Sequence, residues 1–545
     1  VKASELFVKC LENEGVHLIF GLPGEENMDV MDALLDSPIR FVATRHEQGA
    51  AFMADIHGRL TQRAGVCLAT LGPGATNLVT GVADANMDRA PLVAITGQAS
   101  LDRLHKESHQ TYDLVELFTP ITKYSAQIIR ARALPEVVRK AFKVSQTPKF
   151  GACHIDFPED VAKERIEGET PLKAQQASLP EPLESKLAHS AEVINGATYP
   201  LILAGNAVIR GQASAALRRF VEKTQIPVAT TFMAKGVVAD RHPLSLHAVG
   251  LQAHDWVSCG FDRADVVIAV GYDLAEYAPA RWNPHRDKRI IHIDMAPAEV
   301  DAHFIVEAGI IGDITLALDQ LAERITPRDG MKMTRSLREA IDAERAEMAD
   351  DSGFPVKPQR ILCDLRRALE PEDIVISDVG AHKMWIARMF ETLEPNTCLI
   401  SNGFCSMGIA LPGAIAAKML HPERTVVAAT GDGGFLMNSQ ELETAVREKV
   451  PIVVLIFNDG GYGLIEWKQV TGFGRRAHVN FGNPDFVKFA ESFGCRGVRI
   501  AATDELLPAL KEAKGSKVPV IIDCPVDYTE NIRLTEKLGQ LVCPL

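Results

Sequence analysis

Ala429-Thr430-Gly431-Asp432-Gly433-Gly434-Phe435 closes the apolar run that starts at Thr425, and a second apolar run from Pro451 to Phe457 ends in Asn458-Asp459-Gly460-Gly461-Tyr462-Gly463. A glycine-rich turn between a strand and a helix leaves backbone N–H groups free for phosphate oxygens, and a carboxylate in the same turn holds a hard cation. Asp432 and Asp459 are one βαβ traverse apart, so both reach the ends of neighbouring parallel strands, where open α/β sheets place ligands. Two carboxylates and the Gly461 carbonyl leave positions for phosphate oxygens and water around an octahedral Mg2+. Either turn alone reads equally well as ordinary punctuation, since turns favour Asp and Gly. The two together, around one βαβ unit, point to a diphosphate–cation site. No G-x-G-x-x-G opens either helix, so the dinucleotide fingerprint is absent.

The same strand–turn–helix logic runs through the chain. Val16 to Phe20 reads as a strand ending in Gly21-Leu22-Pro23-Gly24, and Ile39 to Thr44 as a strand delivering Arg45-His46-Glu47-Gln48. Gly65 to Thr70 leads into Gly72-Pro73-Gly74-Ala75-Thr76-Asn77, and Pro91 to Gly97 is the next strand. Strands alternating with helices over short loops imply parallel α/β sheets. A charged, proline-bearing stretch from Lys163 to Lys186 marks one linker, and the polar stretch from Thr326 to Lys357 marks another. Between them Pro200–Ala204, Pro227–Thr231, Val266–Val270 and Arg289–Ile293 read as strands of a middle unit; Ile374–Ser377, Cys398–Ser401, Thr425–Ala429, Pro451–Phe457 and Val518–Cys524 read as strands of a third. The expected architecture is α/β, with three Rossmann-like parallel-sheet domains at 1–170, 187–330 and 357–545. The first and third resemble one another in pattern.

Composition limits the partners. Asp and Glu outnumber Lys and Arg by 71 to 58, a net charge of −13, and no basic block interrupts that balance, so nucleic acid is not expected as a main partner. No apolar run is long enough to span a membrane, and no secretory leader is read at the N-terminus. The ten cysteines include no C-x-x-C pair; Cys67, Cys363 and Cys524 sit in apolar patterns and read as buried thiols. A cytoplasmic, reducing compartment is expected.

Two further groups of residues stand out. Gly380, Ala381 and His382 follow the strand Ile374–Ser377 and, with Gly433 and Gly434, suit a phosphate cradle; His382 equally suits the opening of a helix. Glu47 is a lone carboxylate at an apolar strand end, a placement that suits proton transfer, with a surface ion pair as the alternative.

Arg45-His46-Glu47, Gly72-Pro73-Gly74-Ala75-Thr76-Asn77, Ser406-Met407-Gly408, Gly431-Asp432-Gly433-Gly434 and Asn458-Asp459-Gly460-Gly461-Tyr462 together resemble the thiamine diphosphate-dependent enzymes of the acetolactate synthase and pyruvate oxidase superfamily, nearest to the catabolic acetolactate synthase type. The resemblance implies thiamine diphosphate and Mg2+ as cofactors. Asp432, Asp459 and the Gly461 carbonyl would hold the metal. Gly72, Pro73, Asn77, Gly380, Ala381, His382, Gly431, Gly433, Gly434 and Tyr462 would line the cofactor. Glu47 would bond the aminopyrimidine, Met407 would wedge beneath the cofactor, and the Cys405 carbonyl would lie near its amino group. Gln110 would face the substrate. The implied reaction decarboxylates pyruvate and transfers the hydroxyethyl unit to a second pyruvate, giving 2-acetolactate and CO2; a different 2-oxo acid decarboxylase or carboligase is the alternative. The resemblance also implies a homodimer at least, with a homotetramer expected, in which the first domain of one chain meets the third of another. Gly271-Tyr272-Asp273 departs from the arginine-bearing pattern of FAD-using relatives, so no FAD is expected. Trp467 falls one position short of the tryptophan that selects 2-ketobutyrate in anabolic relatives, and Lys468 takes its place.

Overall fold

A computed structural model describes residues 1–175, 178–250 and 253–543. Its strands form three six-stranded sheets, and every pairing within them is parallel. In spatial order the first sheet runs Arg40–Ala43, Leu18–Gly21, Gly65–Ala69, Leu92–Gln98, Ala152–Pro158, Tyr124–Gln127. The third runs Cys398–Ile400, Ile374–Ser377, Val426–Gly431, Val453–Asn458, Val520–Pro525, Arg496–Arg499. Numbered within each domain, both follow the order 2-1-3-4-6-5, so the pattern likeness seen in the sequence is a likeness of topology. The middle sheet runs Val306–Ile311, Arg289–Asp294, Val266–Val270, Pro200–Ala204, Val228–Thr230, Ser245–Ala248. That is the doubly wound order in which the chain reverses between the first and fourth strands.

Central strands such as Leu92–Gln98 and Ala152–Pro158 are buried along their whole length. Parallel strands covered by helices on both faces require such continuous burial. The helix Glu47–Thr61 carries Gly49, Ala50, Ala51, Ala54 and Gly58, and these small side chains let it lie close against the helices around it. One apolar core contains Ala50, Ala51 and Ile56 of this helix together with Ala410, Ala414 and Ile415 of the helix Ala410–Leu420, so the first and third domains share it.

At the edge of this shared core lies a buried ionic cluster. Arg59 donates to Asp55 (2.7 Å), Asp84 (2.9 Å) and Asp88 (2.7 Å), and also to the Ile400 carbonyl (3.1 Å). The same carboxylates reach into the third domain: Asp84 accepts from Ser401 Oγ at 2.7 Å, and Asp88 from the Asn402 N–H at 3.0 Å and the Gly403 N–H at 2.5 Å. Burial, then the neighbouring Asp88 and Asp55 charges, hold the Asp84 carboxyl well above its usual range. One guanidinium therefore organises three carboxylates, two of which, Asp84 and Asp88, tether the loop leading to Met407.

The cysteines differ from expectation. Cys67 and Cys524 are buried free thiols and Cys363 a half-buried one, but Cys259 and Cys543 form a disulfide across 284 residues, with Cα atoms 5.5 Å apart. A pair so distant in sequence leaves no spacing to read. No helix among the described residues is long and apolar enough to cross a membrane.

Removing Arg59 strands three buried carboxylates. Arg59→Ala is expected to lower stability by about 3–5 kcal/mol, seen as a lower denaturant midpoint; an unchanged midpoint contradicts the tethering role.

Candidate active site

Three neighbouring strands of the third sheet end at one level, with Ser377 paired to Ala429 and Gly431 to Phe457. Their following turns therefore face one another across the C-terminal edge of the sheet. Residues 379–382, 431–434, 459 and 461–465 of these turns, with Phe457, Met407 and Tyr528, line a cavity.

Asp432 starts the helix Asp432–Asn438 and is almost fully buried. Its Oδ1 accepts from the Gly433 N–H (2.8 Å), and its Oδ2 from the Gly460 N–H (2.8 Å) and Asn483 Nδ2 (2.7 Å). The carboxylate is thus fixed by both turns. Burial raises its pKa against the lowering effect of these donors. Asp459 has no such donors: burial, followed by repulsion from Asp432, pushes its carboxyl up to about 8. A buried, anchored Asp432 carboxylate beside an exposed Asp459 carboxylate that accepts from no other residue is a donor set suited to a hard divalent cation. The Gly433 N–H, expected on a phosphate, is instead engaged by Asp432. Space there is tight, since a Cβ would sit 3.0 Å from the Tyr462 ring.

His382 is buried, stacked on Phe457 at 5.5 Å, and burial lowers its pKa to about 3, so the ring is neutral. A Cβ at Gly380 would lie 2.8 Å from its Cε1, and one at Gly431 3.2 Å. The imidazole therefore demands glycine on both flanking turns. His382 Nε2, Tyr528 Oη and Asn483 Oδ1 are buried with no partner among the described residues. Orphaned His382 and Tyr528 atoms in a cavity lined by an acidic pair fit a diphosphate–metal group. Asp378 braces this wall: its carboxylate accepts from the Val379 (2.7 Å), Gly408 (2.9 Å) and Ala410 (3.2 Å) N–H groups, locking the loop around Met407 to the strand end.

Sequence reasoning did not select Asn483, Tyr528 or Asp378 for the site. Asp378 stands in the quoted strand-end stretch and was readable there; Asn483 and Tyr528 lie in loops without a motif. Cys405 does not line the cavity. It is exposed at φ 59°, with its sulfur 3.0 Å from Lys383 Nζ and 3.0 Å from the Asn402 carbonyl.

Glu47, Gly72, Pro73, Asn77 and Gln110 gather elsewhere, on the first domain, and none of them lines this cavity. Glu47 is not a lone carboxylate: it opens its helix, is half-buried, and accepts from Asn77 Nδ2 at 3.0 Å. Gly72 has φ 54°, and a Cβ there would meet Gln110 at 2.9 Å, while Gln110 is itself exposed at φ 57°. Within the chain, Gln48 Oε1 accepts from Asn438 Nδ2 at 3.2 Å, at the opposite end of the helix that Asp432 begins. Trp467 turns away from the cavity and donates to Thr535 Oγ1 at 2.7 Å, and Lys468 is exposed.

Comparison with known proteins agrees with this layout. Residues 1–117 match the N-terminal TPP binding domain of thiamine pyrophosphate enzymes, 187–321 the central domain, and 378–524 the C-terminal TPP binding domain. The chain is 37% identical over 553 residues to an acetolactate synthase of Bacillus subtilis (strain 168), covering 99% of this chain and 97% of that protein. It is 35% identical over 550 residues to a catabolic acetolactate synthase of Raoultella terrigena, again covering 99% and 97%. A probable acetolactate synthase large subunit of Methanocaldococcus jannaschii is 37% identical over 567 residues, covering 99% and 94%. Sheet topology, the acidic strand-end pair and full-length similarity agree: the chain belongs to the thiamine diphosphate-dependent acetolactate synthase family.

Proposed function

We propose that this chain converts two pyruvates to 2-acetolactate and CO2, as a cytoplasmic homotetramer with domains at 1–170, 187–330 and 357–545. The coarser activity, thiamine diphosphate-dependent carboligation of 2-oxo acids, follows from family membership. The observation that carries the reading is the Asp432–Asp459 carboxylate pair lining a cavity with unpartnered His382 and Tyr528 atoms.

In this reading Asp432, Asp459 and the Gly461 carbonyl hold Mg2+. Gly380, Ala381, His382, Gly431, Gly433 and Gly434 form the wall against the diphosphate, and Tyr462 and Met407 the walls further along. When bound, thiamine diphosphate supplies the electron sink for decarboxylation and carbon–carbon bond formation. Glu47 holds and moves a proton at the aminopyrimidine end, and Asn77 fixes the orientation of its carboxylate. Gln110, the Gly72-Pro73 turn and the Cys405 carbonyl approach from outside the cavity, and Gln110 orients the acceptor. Apolar Met407, Leu464 and Ile465 at the cavity help exclude water, which would otherwise protonate the reacting carbon.

A homodimer is the smallest complete species proposed. Its support is that the cavity wall comes from the third domain alone, while Glu47 and Gln110 stand on the first. FAD-independence is proposed as well. It is supported by Glu276, which points into the reversal crevice of the middle sheet, accepts from the Asn206 N–H at 3.0 Å and is hydrogen-bonded to Thr231. A carboxylate of the chain itself thus takes a backbone N–H that would otherwise face a nucleotide phosphate.

The direct test is incubation with pyruvate, Mg2+ and thiamine diphosphate. One acetolactate per two pyruvates consumed is expected; acetaldehyde as sole organic product overturns the reading. With Trp467 engaged by Thr535, equal competition of pyruvate and 2-ketobutyrate should yield no strong excess of the 2-ketobutyrate product, and a strong excess contradicts the placement. Glu47→Gln is expected to lower kcat by about 10²–10⁴-fold while cofactor affinity, measured by calorimetry, changes little; unchanged turnover removes its proton role. The raised pKa of Asp459 means that the metal-free chain holds a proton there below about 8 and loses it above. A cation must displace that proton. Mg2+ affinity is therefore expected to rise with pH and level off above about 8. Asp459→Asn should flatten the profile, and a flat wild-type profile contradicts the assignment.

A further inference from the structure

The C-terminal tail returns to the middle domain far from the cofactor cavity. Leu541 packs both with the third-domain core, which includes Trp467 and Leu538, and with the middle-domain core of Val257 and Phe261. Two residues later Cys543 is bonded to Cys259, which lies on the helix Trp256–Arg263.

More than a disulfide is gathered there. His254 Nε2 lies 2.6 Å from Asp262 Oδ2, and Cys543 Sγ lies 3.8 Å from the same oxygen. Ligand atoms of His254, Cys259 and Cys543 all fall within 4.8 Å of one another, the one such convergence of three metal-ligating side chains among the described residues. A disulfide needs neither the imidazole nor the carboxylate. Two sulfurs beside a histidine whose second ring nitrogen is held by a carboxylate are, however, the donor set of a zinc centre.

We propose that His254, Cys259 and Cys543, with Asp262 orienting the imidazole, form a second divalent-metal site, selective for zinc-like ions, that becomes available when the Cys259–Cys543 disulfide is reduced.

The geometry allows it with local movement. Bonds of about 2.0–2.3 Å in a tetrahedral site place ligand atoms about 3.3–3.8 Å apart; the three ligand atoms already fall within 4.8 Å, and the two sulfurs must part once their bond is reduced. Cys259 and Asp262 are three residues apart on one helix and so share a face. Cys259 is buried while the His254 and Asp262 side chains are 48% and 52% exposed, which gives a fixed inner ligand and an open route for the ion. An open space of about 930 Å3, bordered by His254, Trp467, Leu538 and Leu541, adjoins the cluster. The chemistry separates this site from the Asp432–Asp459 pair: carboxylates and carbonyls favour Mg2+, whereas thiolates and imidazole favour Zn2+.

The step balances. A dithiol reductant gives two electrons and two protons to the sulfur pair, yielding two thiols and its own cyclic disulfide. The incoming ion then displaces both thiol protons to solvent and bonds the two thiolates. In either state the tail is fastened to the middle domain, by a covalent bond in one and by the ion in the other.

The test uses the full chain and Co2+ as the probe. After dithiol reduction, Co2+ is expected to produce thiolate-to-cobalt charge-transfer absorption saturating at one ion per chain, and Zn2+ should abolish it. The oxidised chain should not show the band. Cys543→Ser should lack it after reduction, and His254→Ala should bind at least about tenfold more weakly. A fully reduced wild-type chain without the band, or a Cys543→Ser chain that keeps it, overturns the proposal and leaves a disulfide staple only.

Discussion

Two carboxylates that repel one another, Asp432 buried and Asp459 exposed beside it, govern this structure. Desolvation, followed by repulsion from Asp432, pushes the Asp459 carboxyl up to about 8, a cost to its charged form. A metal-free chain relieves that cost by keeping a proton on Asp459. The divalent ion proposed above would relieve it with both groups charged. The turns around the pair are arranged accordingly. Asp432 is held by N–H groups from its own turn and the next, whereas Asp459 is left without donors, free for the ion.

The scaffold keeps that arrangement rigid through buried polar groups rather than through propensity alone. Asp378 fastens the Met407 loop to a strand end, and the neutral His382 ring occupies space that only glycines at 380 and 431 can leave open. Behind the loop, Arg59, Asp84 and Asp88 tie the first domain to residues 400–403.

Much of this was legible in the sequence, for a physical reason. Strands buried on both faces must be apolar along their length, so Pro200–Ala204, Val266–Val270 and Ile374–Ser377 were read with the bounds they have. Tyr124–Gln127 and Arg496–Arg499 were not read, being half-exposed edge strands without alternation or an apolar run. Asp432 and Asp459 were visible because glycine-rich turns are local. Asn483 and Tyr528 were invisible because their placement depends on loops that the third domain folds back over its own turns. Glu47 was read as unaccompanied because its partner, Asn77, belongs to another helix. The Cys259–Cys543 bond and the His254 and Asp262 groups beside it likewise join parts of the chain that no spacing connects.

In the proposed reading the cavity is half a site. Its walls belong to the third domain, and the carboxylate proposed to work with it stands on the first. The account therefore turns on whether a second copy supplies that carboxylate. Complementation between two inactive variants measures this most directly. Glu47→Gln and Asp432→Asn chains, each inactive alone, are unfolded together, refolded and assayed with pyruvate. If sites are shared, each mixed dimer carries one doubly altered site and one intact site, and about a quarter of wild-type activity returns. If each chain completes its own site, no activity returns, and the shared-site account is contradicted.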